Sequence, residues 1–174
     1  PLTTPSAWHD DGRMSLMIKA LGDYTTRLPE LLHVGDPLTI EGPYGQFSFA
    51  GERPHQIWVG GGIGITPFVA RLQALASAPD GKAVDLFYST AEPDDRFIAK
   101  LKRDAAAAGV KLRLWLSARD GYLDADAICK SVPDWTHADV WFCGPAAFGE
   151  SLRTGFTTRG LPGEAFHQEL FEMR

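Results

Sequence analysis

Past residue 55 the chain alternates short apolar runs with longer stretches in which apolar residues recur every three or four positions. Residues 57–59, 84–88, 111–116 and 139–143 read as buried strands, and 165–171 as a fifth. Between them, 68–76 places Val69, Leu72, Leu75 and Ala76 on one side of a predicted helix. Residues 94–108, 125–130 and 146–159 predict further helices. Strands alternating with helices at this spacing imply an α/β fold with a five-stranded, doubly wound parallel sheet. The first fifty residues have a different rhythm and read as β-rich. Residues 13–19 and 37–41 are strand candidates, 25–32 is a short helix, and 51–54 is a linker.

Ligands on such sheets bind beyond the carboxyl ends of the strands. Here those ends are 60–66, 89–92, 117–122, 143–145 and the C-terminus. The first is the most distinctive: Ile57-Trp58-Val59 runs into Gly60-Gly61-Gly62-Ile63-Gly64-Ile65-Thr66-Pro67. Glycines admit a pyrophosphate close to the backbone, and a helix starting behind them offers N–H groups and the positive end of its dipole. Thr66 suits the N-cap and Pro67 the first helical position. The dinucleotide fingerprint G-x-G-x-x-G is not met, because the sixth position from Gly62 is Pro67. At the fourth end, Cys143-Gly144-Pro145 makes a tight turn that leaves the cysteine side chain at the ligand edge.

Composition narrows the classes. With 44% hydrophobic and 22% charged residues among 174, the chain has the balance of an ordinary soluble domain. A net charge of -5 with no basic run argues against nucleic acid as a partner. Two cysteines, Cys129 and Cys143, build no disulfide framework, and the five histidines share no metal-ligand spacing. No apolar window is long enough for a membrane span, and with no disulfide framework a reducing, cytoplasmic setting is expected.

Taken together, "GGGIGITP", "FYST", "CGP" and the closing "FHQELF" resemble the pyridine-nucleotide domain of the ferredoxin–NADP reductase superfamily. "PLT", "IKALGDYTTRL" and "EGPYGQF" are similar to the second half of that family's flavin-binding barrel. The strings look most like the bacterial ferric-reductase and NADPH-oxidase-like branch. The resemblance divides the chain into 1–52, the C-terminal part of an antiparallel FAD-binding β-barrel, and 53–174, the NAD(P)-binding domain. It implies further barrel strands ahead of Pro1, so that the FAD site is incomplete in this chain. In that branch it also implies a haem-bearing membrane segment or another redox partner, with this chain on the cytosolic side.

The resemblance also assigns roles. Pro1 and Thr3 would lie along the flavin, with the Thr3 hydroxyl near N5. Gly22, Thr25 and Thr26 would sit under its pyrophosphate, with Arg27 as a charge partner. Gly61, Gly62, Gly64 and Thr66 would hold the phosphates of the nicotinamide nucleotide, and Cys143, Gly144 and Pro145 would flank the nicotinamide. Phe171 would cover the flavin ring and Glu169 would orient or relay a proton. Ser89 ends the second strand, and Ser117, Arg119 and Tyr122 resemble a clamp for a 2′-phosphate with one residue inserted; Arg119 is equally a solvated turn residue. That clamp tips the nucleotide toward NADPH over NADH. The function implied is an NAD(P)H-dependent flavin oxidoreductase that takes a hydride and passes single electrons to ferric iron, haem, dioxygen or a redox protein. The alternatives are a nucleotide-binding regulatory domain without turnover and an electron-transfer subunit whose partner completes the flavin site.

Overall fold

The computed structural model describes residues 12, 14–18, 20, 22–39 and 47–170. Its centre is a parallel sheet of β1 (His55–Gly61), β2 (Ala83–Thr90), β3 (Lys111–Leu116), β4 (Ala138–Gly144) and β5 (Phe166–Leu170), in the order β3-β2-β1-β4-β5. The expected five-stranded doubly wound sheet is the fold found. Helices α2 (Thr66–Ser77) and α3 (Asp95–Ala107) follow β1 and β2, while α5 (Ala125–Ser131) and α6 (Ala146–Thr158) pack together beside the other face. A single turn, α4 (Ser117–Asp120), leaves β3, and α1 (Asp23–Leu31) precedes the sheet.

The strands are apolar on both faces because both are covered. Trp58, Leu86, Tyr88, Trp141 and Cys143 share one core with Phe68, Leu72, Ile98 and Leu101. Ile57, Val59, Phe87, Val140 and Phe142 share the other with Ile128, Leu152 and Phe156. Side chains alternate faces along a strand, so consecutive residues of one apolar run feed two cores. Asp94 caps α3 by accepting from the Phe97 amide at 2.8 Å, and Asp124 caps α5 through the Ala127 amide at 2.8 Å. Such caps contribute about 1 kcal/mol each.

The N-terminal part departs from its expected strands. Of 13–19, Met17 makes a β-bridge among the described residues; residues 37–39 lie in no strand, and 40–46 fall outside those described. The stretch expected as a linker is clamped onto the sheet instead. Lys82 Nζ donates to the Gly51 carbonyl at 2.6 Å, and Arg53 Nη1 donates to the Thr136 carbonyl at 2.8 Å. A Cβ on Gly51 would collide with Asp139 Oδ2.

Phe47 and Phe49 extend the clamp into the core. The Phe49 ring lies 5.0 Å from Trp58, 5.2 Å from Trp141 and 5.9 Å from Phe68. Its carbonyl accepts from Gln56 Nε2 at 2.9 Å, while Gln56 Oε1 accepts from Trp58 Nε1 at 2.8 Å. Phe49 holds this position at φ 52, a left-handed conformation that costs a non-glycine residue roughly 1–2 kcal/mol. Burying a phenylalanine is worth about 3–5 kcal/mol by truncation, so packing outweighs the strain.

Phe49→Ala is therefore expected to lower stability in urea unfolding by about 3 kcal/mol, because the ring contacts go while the strained backbone stays. Phe49→Gly relieves the strain and should be no less stable than Phe49→Ala, the reverse of the order at a regular helix or strand position.

Candidate functional site at the carboxyl edge of the sheet

The apolar run of β1 ends in glycines where the returning chain crowds it: a Cβ on Gly60 would lie 3.0 Å from Ile65 Cα. A 3₁₀ turn, Gly62–Ile65, joins β1 to α2. Gly62 has φ 55, and a Cβ there would meet nothing within 4 Å, so this backbone is left-handed and open on its outer side. Gly64 is the opposite case. Its Cβ would collide with the Cys143 carbonyl oxygen and lie 2.8 Å from Gly144 Cα. Gly61 faces Pro145 and Phe148 at 3.0 and 3.1 Å in the same sense. The turn thus rests directly on the end of β4, with α2 and α6 both beginning at this edge.

Thr66 is placed differently from expectation. It is the first residue of α2, at φ -59 and ψ -45, and not its N-cap. The preceding 3₁₀ turn already has helical backbone, which leaves no extended residue to act as a capping Ser or Thr. Thr66 is fully buried, and its hydroxyl donates to the Ile63 carbonyl at 3.0 Å, so it stitches the turn.

Cys143 also differs. The expectation put its side chain at the ligand edge, yet it is 1% exposed and belongs to the core with Ile65, Tyr88 and Trp141. The even positions of β4 face the α5–α6 side, so Cys143 faces the core beneath the turn. Burial, with a smaller contribution from Glu169, pushes its thiol up to about 12. Glu169 is its register partner on β5, half-buried, with its carboxyl raised above the usual range by desolvation. The structure brings Gly60, Cys143 and Glu169 into one row across β1, β4 and β5.

On the other side of β1, Ser89 pairs in register with Gly61 and is buried. Thr90, which the sequence reading passed over, closes the following turn by accepting from the Glu92 amide at 3.2 Å. Ser117 opens α4, and Tyr122 is 93% exposed just beyond it. Arg119 is not a free cation. Its Nε and Nη2 donate to Asp120 Oδ1 and Oδ2 at 2.7 and 2.8 Å. Asp120 Oδ2 also accepts from the Leu116 amide at 2.9 Å. Asp120 was missed because adjacency in sequence says nothing about whether two side chains fold back on each other.

Gly22 precedes α1, where its carbonyl accepts from the Thr26 amide at 2.9 Å and from the Thr25 hydroxyl at 3.2 Å. Arg27 is exposed one turn on, and Asp23 puts an acid in the first turn. Pro1, Thr3 and Phe171 lie outside the described residues. A depression of about 230 Å³, lined by Phe47, Ser48, Ala50, Trp141, His167 and Gln168, sits one row behind Cys143 and Glu169, away from the glycine turn. Among the described residues no cluster of His, Cys, Asp or Glu could hold a metal, and no helix is long and apolar enough to cross a membrane.

No protein-family model matches the chain. It is 33% identical over 150 residues to tetrachlorobenzoquinone reductase of Sphingobium chlorophenolicum, an alignment covering 83% of this chain and 44% of that protein. NADH-cytochrome b5 reductase 2 of Mycosarcoma maydis is 29% identical over 185 residues, covering 94% and 50%. The FAD/NAD-binding domain of nitric oxide dioxygenase from Vibrio cholerae superposes with a TM-score of 0.72 at 24% identity, over 86% of this chain and 65% of that one. By sequence the chain is similar to these reductases, and its fold is that of an FAD/NAD-binding domain. It spans about half the length of the curated relatives it matches.

The burial difference between the two thiols is directly measurable. Cys129 is half-buried and Cys143 buried, and desolvation raises both. A raised thiol stays protonated and unreactive until pH approaches its shifted value. Native chain at pH 8 should release one slow equivalent from a disulfide reagent, mapping to Cys129 by mass spectrometry, with Cys143 modified only after unfolding.

Proposed function

We propose that this chain is the nicotinamide-nucleotide side of an NAD(P)H-dependent flavin oxidoreductase. One observation carries the reading: the left-handed, outwardly open Gly62 stands at the carboxyl end of the central strand, at the head of α2. That is where a doubly wound sheet takes a nucleotide, and the backbone there leaves space that any side chain would fill. The site fits a pyrophosphate on this ground. Gly64 fixes the turn against Cys143–Gly144, so the backbone that would hold the phosphates and the strand end that would flank the nicotinamide keep one separation.

When bound, a nicotinamide and a flavin supply hydride transfer; the chain supplies alignment. Cys143, neutral and buried under the turn, presents no charge to the nicotinamide end, and the half-buried Glu169 beside it is poised to hold a proton. We assign the flavin to Pro1, Thr3, Phe171 and the Gly22–Arg27 start of α1, completed by barrel strands outside these residues. The 1–52 and 53–174 division follows from that assignment. Among acceptors we place ferric iron, haem, dioxygen or a redox protein, in the manner of the ferric-reductase and NADPH-oxidase-like branch. The relatives named above as reductases support electron delivery onward to a partner.

The test compares two glycines with the same backbone demand. Gly62 and Gly81 have φ 55 and 78, and neither would bring a Cβ into contact. Gly62→Ala and Gly81→Ala should each cost about 1 kcal/mol of stability. Only Gly62→Ala should weaken NADH and NADPH binding by calorimetry, by about tenfold or more. Equal binding by both variants would remove Gly62 from the site.

A further inference from the structure

The nucleotide site just proposed has a ribose end, and the charges there bear on which nucleotide it takes. Gly61 pairs with Ser89, and Thr90 with Leu116, so the ends of β1, β2 and β3 open on one edge. In a doubly wound sheet the group that meets the 2′ position of the adenosine ribose comes from beyond the second strand: a carboxylate suits a free hydroxyl and an arginine suits a phosphate. Beyond β2 this chain places Glu92, Asp94 and Asp95 ahead of Arg96. Beyond β3 it places Arg119, already held through Nε and Nη2 by Asp120.

We infer that this edge is set for a nucleotide with a free 2′-hydroxyl, NADH, and that Asp120 is the residue that decides against a 2′-phosphate. The inference rests on the nucleotide site proposed above. An exposed ion pair is held weakly, so bond strength is not the argument. Geometry and charge are. The carboxylate takes the Nε–Nη2 edge of the Arg119 guanidinium, so a phosphate would have to share the cation with an anion, through its outer edge. The Leu116 amide anchors Asp120 at 2.9 Å, so the carboxylate stays in place whatever Arg119 does. A dianionic 2′-phosphate would therefore meet a pair of zero net charge beside further carboxylates, whereas a ribose diol would find an acceptor. Their mutual hydrogen bonds raise the Arg119 guanidinium and lower the Asp120 carboxyl from their ordinary values, so the pair stays ionised across neutral pH. The NADPH preference expected from Ser117, Arg119 and Tyr122 is replaced by this assignment.

The experiment is calorimetric titration of the 174-residue chain with NADH and with NADPH. It compares wild type, Asp120→Asn, Arg119→Ala and the double variant. Asparagine keeps an acceptor for the Leu116 amide and removes the charge; Asp120→Ser serves as a second variant if circular dichroism finds the first unfolded. Wild type should bind NADH at least about tenfold tighter than NADPH, and Asp120→Asn should tighten NADPH by about tenfold while changing NADH by less than about threefold. Adding Arg119→Ala to Asp120→Asn should abolish that gain, since the two side chains act as one unit. NADPH bound as tightly as NADH by wild type, an unchanged ratio in Asp120→Asn, or a gain that survives Arg119→Ala would each overturn the inference alone. Failure of wild type to bind either nucleotide would overturn the proposed function beneath it.

Discussion

The close approach of Gly64 to the Cys143 carbonyl and Gly144 Cα is the contact on which the carboxyl edge depends. It fuses the turn after the first strand to the end of the fourth, two segments about 80 residues apart in the chain and adjacent in the sheet. Because the approach is backbone to backbone, it cannot relax by a rotamer change; it requires glycine. The contact falls at the backbone of Cys143, whose thiol is buried in the core with Ile65, Tyr88 and Trp141 and raised by desolvation. It also leaves Gly62 as the place where the turn faces outward.

A sheet covered on both faces sends its polar chemistry to its two edges. At the amino edge, Asp85 is buried with both oxygens partnered, to His55 Nε2 at 3.0 Å and to Arg113 Nε at 2.8 Å. Arg113 in turn donates to the Ser131 carbonyl at 2.9 Å and lies over the Phe87 ring, so the cluster is closed and structural. Breaking a buried, fully partnered carboxylate costs more than forming it gains, and the arrangement makes that edge rigid without making it a site. The carboxyl edge is built from backbone turns, one half-buried acid and an exposed ion pair, groups that a ligand can reach.

What the sequence made legible follows the same division. The alternation of buried strands with helices was readable because burial on two faces forces continuous apolar runs such as Ile57-Trp58-Val59 and Val140-Trp141-Phe142. The location of the candidate site was readable because ligand edges follow from strand direction. The division of labour among the glycines was not, since Gly62 and Gly64 are the same letter and differ only in which neighbour they meet. Thr66 failed as a capping residue because an intervening 3₁₀ turn changes the geometry without changing composition. Cys143 is buried because both faces of β4 are covered, so either parity would turn its side chain into a core. Phe49 at positive φ was invisible for the opposite reason: tertiary packing overrides a local preference that the sequence states plainly.

The aromatic seam gives these local facts a longer reach. Phe47, Phe49, Trp58, Phe68 and Trp141 are linked by ring contacts, and Trp141 stacks on His167 at 4.0 Å and 18°. One end of the seam is the segment arriving from residues before 47; the other is β5, two residues short of Glu169. Rings in edge and stacked contact resist sliding, because each displacement opens voids that the dense core does not tolerate. Arg53 and Lys82 hold the same segment by side-chain hydrogen bonds donated to backbone carbonyls, so the entry is fixed by both packing and polar contacts. A reaction between two cofactors is sensitive to displacements of about 1 Å. Under the function proposed above, a nucleotide on the sheet and part of a flavin on the preceding segment would need that junction rigid, and the strain accepted at Phe49 would be the local cost of making it so.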